Sequence, residues 1–259
     1  MNRFSLSALL MMLSTTVALA QDAMPPGLTS AKLLPGWVTK DGTRMIALDL
    51  VLEPGWKTYW RKPGDSGIPP SFDWSAGDNI ADATVHWPAP EVIVSGGDTT
   101  MGFHDRLTLP IELHPQDPAQ PMLIASQIMF GLCENICVPA NLSLTTGQAG
   151  TNQDPAITAA LAAQPRVGSE QPDCEVAEIG DGLRLTAHLP VNGTAQAVAI
   201  ELSGAADVWI SGADVAGATA TADLVPPERA PFDLDLDALI FTLIDDDGAV
   251  ELHGCAPNS

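Results

Sequence analysis

Apolar side chains in this chain fall in short runs broken by Gly and Pro, some of them partly alternating with polar residues, and such runs predict strands. Residues 43–52 alternate partly and predict a strand within an opening segment, 33–52, that the turn Pro54-Gly55 closes. Residues 81–87 and 91–94 predict two short strands around Pro88-Ala89-Pro90. Residues 96–102, beginning Gly96-Gly97, predict a flexible loop, and 103–113 a further strand. Residues 122–130 and 138–145 predict a strand pair around a short connection. One helical signal follows. Asp154 can cap it, Pro155 sits at the first helical position, alanines run to Ala163 and Pro165 stops it. Beyond it, residues 183–189, 197–202, 208–210, 239–244 and 249–252 are again strand-like, and Asp245-Asp246-Asp247 before Gly248 predicts a turn. The order implies an all-β chain: a β-sandwich, a short helix, then a second β-rich unit. The predicted boundaries are 21–150, a helical linker at 151–170, and 171–259.

Composition adds to this picture. Twenty-two Gly and twenty-two Pro in 259 residues suit many turns and few long helices. A net charge of −21 speaks against nucleic acid or anionic membrane surfaces as partners. Arg3, a short apolar run over 8–17 and Ala18-Leu19-Ala20 before Gln21 predict a cleaved secretory signal over residues 1–20. That run is too short for a lasting membrane span, and no later run approaches one, so the expectation is an exported protein without stable membrane insertion. Residues 56–74 hold three of the six tryptophans and the only tyrosine, for which core packing is expected. Lys57, Arg61 and Lys62 are a basic cluster in an acidic chain. They read as solvated surface, with orientation of an acidic partner as the alternative. His104 and Asp105 are neighbours and would point to opposite faces of a strand, so they form no dyad. No Gly-x-Ser-x-Gly motif supports a hydrolase.

The chemistry concentrates in Phe130-Gly131-Leu132-Cys133-Glu134-Asn135-Ile136-Cys137-Val138-Pro139, which holds two of the four cysteines. A disulfide needs Cα atoms about 4.4–6.8 Å apart. In one flat strand, residues i and i+4 lie about 13 Å apart. If the pair bonds, the segment must turn. Gly131 and Val138-Pro139 disfavour a helical turn, whereas a hairpin with Glu134-Asn135-Ile136 at its tip, Asn135 accepting a positive φ, suits the flanking strands. Such a pair closes little loop entropy, and an exposed disulfide is of the labile, exchanging kind. The competing readings are a local staple or a metal pair, the latter poor for zinc without further ligands. Cys174 and Cys255 bracket the second unit. A bond between them would close a loop of about 80 residues and contribute on the order of 4–5 kcal/mol as a structural disulfide, although four cysteines allow three pairings.

Three blocks in order resemble the N-terminal periplasmic domain of the DsbD/ScsB family of thiol:disulfide interchange proteins: residues 60–74 (Trp60-Arg61-Lys62-Pro63-Gly64-Asp65-Ser66-Gly67-Ile68-Pro69-Pro70 onward), His104-Asp105-Arg106-Leu107-Thr108-Leu109-Pro110, and Cys133-Glu134-Asn135-Ile136-Cys137-Val138-Pro139. The resemblance spans roughly residues 33–145. It implies an immunoglobulin-like β-sandwich in the periplasm, with Cys133 and Cys137 as the redox pair. It implies a membrane-embedded thiol reductase as electron donor, periplasmic thioredoxin-like proteins as acceptors, and no cofactor. Cys137 matches the cysteine that forms the mixed disulfide, and Glu134 beside Cys133 would disfavour a thiolate there. In the family an aromatic cap loop covers the pair; here Met101 or Phe103 is the candidate cover. The family also has ties to cytochrome c biogenesis and, through ScsB-like members, to copper tolerance. That makes Cu(I) binding by thiols with Met101, Met122 or Met129 one alternative, and a non-catalytic adaptor with structural disulfides another.

Overall fold

The computed structural model describes residues 24–190 and 195–257; the predicted signal lies outside them. The first half holds β1 (Leu28–Val38), β2 (Arg44–Leu52), β3 (Lys57–Tyr59), β4 (Ser71–Asp73), β5 (Ile80–Val85), β6 (Glu91–Ser95), β7 (Asp98–His104), β8 (Arg106–Pro115), β9 (Ala125–Cys133) and β10 (Cys137–Thr145). These form a four-stranded sheet, β1-β2-β8-β5, and a second sheet, β10-β9-β3-β7-β6, with β4 also paired to β9. The helix α1 (Pro155–Ala162) follows. The second half holds β11 (Arg166–Val167), β12 (Asp173–Ile179), β13 (Gly182–His188), β14 (Ala197–Leu202), β15 (Trp209–Ile210), β16 (Asp214–Ala216), β17 (Thr219–Val225), β18 (Leu239–Asp245), β19 (Gly248–His253) and β20 (Ala256–Pro257). Its two sheets are β11-β19-β18-β14 and β15-β17-β13-β12-β20, with β16 on β17.

Each half buries its own apolar interior, and the interiors meet. Ile46, Leu48 and Leu50 of β2 and Leu107, Leu109 and Ile111 of β8 face Phe130 and Leu132 of β9 and Trp60 across the first sandwich. Ala197, Ala199, Ile244 and Ala249 of the second half pack into the same cluster. Leu185, Ile200, Leu224, Leu239 and Phe241 fill the second sandwich. The helix is more than a linker. Asp154 accepts hydrogen bonds from the Ala156 and Ile157 amides, as a cap should. Ile157 and Leu161 then cover Met45 and Ala47 on the outer face of β2. This explains why β2 is buried on both faces and alternates only partly.

Two expectations around residues 96–113 change. Residues 98–102 are part of a strand, because Gly96-Gly97, with φ of 65° and 94°, makes the two-residue turn of a β6–β7 hairpin. The expected strand over 103–113 is broken at Asp105, whose φ is 56°, so that β7 and β8 lie in different sheets.

Candidate redox site

The β9–β10 hairpin runs in unbroken register from Thr145↔Ala125 to Cys137↔Cys133. The cysteines are therefore directly opposite at its last rung, with Cα atoms 4.1 Å apart, and they form a disulfide. Glu134, Asn135 and Ile136 make the exposed tip, Ile136 being 75% exposed. Asn135 does not use a left-handed conformation: among the described residues other than Gly, positive φ occurs at Asn79, Asp105 and Arg229. The two sulfur-bearing residues are unequal. Cys133 is 6% exposed because β3 flanks it on the side away from β10, with Lys57 opposite. Cys137 is exposed because β10 ends its sheet and leaves that flank uncovered.

Strand parity decides what surrounds the pair. Leu132, Phe130, Thr58 and Phe103 occupy the rungs that point into the sandwich, whereas Cys133, Gly131, Lys57 and Tyr59 share the other face. Met101 and Phe103 are therefore core residues and not a cover for the disulfide. Tyr59 is the aromatic side chain at the pair, its hydroxyl 3.1 Å from Cys137 Sγ. A disulfide sulfur carries no proton, so the tyrosine donates. Burial pushes its pKa up, which keeps that proton in place. Gly131 makes this contact possible. A Cβ there would lie 2.8 Å from Tyr59 Cδ2 and 2.9 Å from Ile68 Cβ. The Gly131 amide also donates to the Ile68 carbonyl at 3.2 Å. Residues 63–70 thus run over the face that carries the Cys133–Cys137 disulfide, and Gly67 packs against both Pro63 and Tyr59.

The basic cluster is not solvated surface. Arg61 stacks on Trp60, 4.3 Å from its ring centroid, and its Nε donates to both carboxylate oxygens of Glu201 at 3.1 and 3.0 Å. Its Nη2 donates to Glu251 at 2.6 Å. Burial pulls its pKa down, but the hydrogen bonds and charges of Glu201 and Glu251 outweigh that, so the net direction is up. Lys62 Nζ donates to the Ile210 carbonyl at 2.7 Å, and burial lowers its pKa against the pull of Glu201 and Asp65. Lys57 is buried, its pKa lowered chiefly by that burial, and reaches Thr100 Oγ1 at 3.4 Å. The acidic partner of Arg61 is the second half of the same chain, which a sequence pattern gives no means of seeing.

The remaining candidates stand apart. Cys174 and Cys255 form a buried disulfide with Cα atoms 5.8 Å apart. His104 pairs with Glu91 at 2.8 Å across the β6–β7 hairpin. Met101 faces the core, Met122 lies beyond the far end of β9, and Met129 is four residues from Cys133, about 13 Å along the strand, so no methionine joins the cysteines. Among the described residues no group of three or more His, Cys, Asp or Glu side chains is placed to hold a metal ion. Tyr59, Gly131 and Ile68 escaped sequence reasoning. The available signal was a glycine two residues before Cys133, on the same face of one strand.

Residues 30–148 match the family model described as "Thiol:disulfide interchange protein DsbD, N-terminal". This segment belongs to the DsbD N-terminal family. Its match covers Cys133 and Cys137, the Tyr59 strand and the 63–70 loop. The fold agrees: the crystal structure of the N-terminal periplasmic domain of ScsB from Proteus mirabilis superposes with a TM-score of 0.60 at 23% identity, over 86% of this chain and 92% of that one. The similarity therefore extends through the second half. No curated protein matches the chain. The DsbD-type segment is a thiol:disulfide interchange domain with an immunoglobulin-like fold. No helix among the described residues is long and apolar enough to cross a membrane.

Proposed function

We propose that this protein exchanges disulfides with partner proteins through Cys133 and Cys137, in the periplasm, carrying electrons from a membrane-embedded thiol reductase to thioredoxin-like proteins. The observation that carries the reading is the asymmetric pair: a bonded Cys137 that is open to contact and a Cys133 that is enclosed beside it. In the charging step a donor thiolate attacks Cys137 Sγ. The Cys133–Cys137 bond breaks, and Cys133 leaves as a thiolate and takes up a proton. The donor's second thiol then attacks the mixed disulfide, so the donor leaves oxidised and the pair is reduced by two electrons. In the discharging step the Cys137 thiolate attacks an acceptor disulfide, and Cys133 resolves the intermediate. The Tyr59 hydroxyl donates to Cys137 Sγ in the bonded pair. Cys174 and Cys255 serve as a structural staple.

The test is capture. A Cys133→Ala variant cannot resolve the intermediate and accumulates a mixed disulfide through Cys137 in periplasmic extract. Mass spectrometry then identifies thioredoxin-like and membrane partners. Absence of any adduct at Cys137 overturns the proposal.

A further inference from the structure

The loop over the redox face is held from outside its own sandwich. Arg61 is clasped by Glu201 of β14 and Glu251 of β19. Lys62 is anchored to the Ile210 carbonyl of β15. The Gly212 amide donates to Asp65 Oδ1 at 2.7 Å. Three anchors within five residues therefore reach β14 and β19 through Arg61, and β15 and the segment after it through Lys62 and Asp65. Just past them, Gly67 packs on Tyr59 and Ile68 packs on Gly131. Within its own sandwich the loop is tied by the Met101 amide to the Pro63 carbonyl at 3.0 Å, the Gly131 amide to the Ile68 carbonyl at 3.2 Å, and Ser66 Oγ to Asp98 Oδ2 at 2.8 Å.

We propose that the second half is a clamp on the redox site: through Arg61, Lys62 and Asp65 it holds residues 63–70 down on Tyr59 and Gly131, and so limits access to the Cys133–Cys137 bond. The three are positioning residues, since none is in recorded contact with a sulfur. The physical basis is local opening. A loop without regular secondary structure opens at a lower free energy than the strands around it, and each anchor to a second rigid body raises that free energy. Arg61 is the strongest of the three, because its guanidinium engages two carboxylates and stacks on Trp60 at once. The inference gives the second half a role in the proposed exchange, and it rests on that reading of the cysteine pair.

The clamp can be cut from either side in the full chain. A Lys62→Met/Asp65→Ala variant removes two anchors from the loop, and a Glu201→Gln/Glu251→Gln variant weakens the third from the second half. The reading is the rate at which dithiothreitol reduces each disulfide, followed by alkylation and mass spectrometry. The buried Cys174–Cys255 bond reports on global unfolding in the same sample. Both variants are expected to speed reduction of Cys133–Cys137 by about threefold or more, with Cys174–Cys255 unchanged. An unchanged rate at Cys133–Cys137, or an equal rise at both disulfides, overturns the clamp. Failure of the exchange reading has a different signature, the missing Cys137 adduct in the capture experiment, because dithiothreitol reports access whether or not a partner exists.

Discussion

Replacing Tyr59 by Phe removes one hydroxyl and almost no volume from a residue that is 1% exposed, so its effect isolates the hydrogen bond to Cys137. In the reduced protein that hydroxyl is expected to keep its place and donate to the Cys137 thiolate. Hydrogen bonds to charged groups contribute about 1.5–3 kcal/mol, and sulfur is a weak acceptor, so the low end, about 1.5 kcal/mol, is appropriate. The bond favours the charged form and therefore lowers the thiol pKa; its loss raises the pKa by about one unit at 1.36 kcal/mol per unit. Burial raises the pKa of Tyr59 itself, so the tyrosine stays protonated and remains a donor throughout the range in which the thiol titrates. At pH below the thiol pKa the thiolate fraction falls about tenfold. The more basic sulfur recovers about half of this on a logarithmic scale, which leaves alkylation about threefold slower. The assay is the pH profile of iodoacetamide alkylation in a Cys133→Ala background, where Cys137 is the one thiol outside the Cys174–Cys255 bond. A thiol pKa that stays put or falls on Tyr59→Phe refutes the assignment of Tyr59 as the donor to Cys137.

Other predictions concern stability and packing. Gly131→Ala places a methyl 2.8 Å from the Tyr59 ring and should cost about 1–3 kcal/mol in urea unfolding while displacing Tyr59, so its alkylation profile should shift in the same direction as that of Tyr59→Phe. Removing Cys174 and Cys255 together opens a sequence separation of 81 and should cost about 4–5 kcal/mol, against about 2 kcal/mol for removing Cys133 and Cys137, separated by 4; equal losses would contradict the division into staple and exchanging pair. Asp154→Ala should cost about 1 kcal/mol through the lost helix cap, read as a lower urea midpoint. Glu112 is held below the usual carboxylate range chiefly by the Thr43 hydroxyl at 2.7 Å, with burial opposing and His86 assisting. Its stabilisation is therefore present above the unfolded carboxyl pKa and lost as pH falls through the lower folded one, so Glu112→Gln should flatten the decline of the urea midpoint between about pH 5 and 2.

Local rules account for much of this molecule because they act within a few residues. Short apolar runs marked β13, β14, β18 and β19 to within a residue or two: β13 alternates because one of its faces is wet, whereas β14 and β18 are continuous runs because both of their faces are largely buried. The Asp154-Pro155 start and the alanine run gave α1. The four-residue spacing of Cys133 and Cys137, with strand-like flanks, allowed a bonded hairpin, because chain geometry leaves few ways to bring those atoms together. Long-range packing decided the rest. Only pairing of β3 with both β7 and β9 put Tyr59 on the face of the Cys133–Cys137 disulfide and turned Met101 and Phe103 into the core. The fate of Arg61 and Lys62 depended on carboxylates and a carbonyl some 140 to 190 residues away, separations over which no pattern in the chain carries information. A strand's alternation tells which residues share a face; what that face meets is set by the sheets and loops that pack on it.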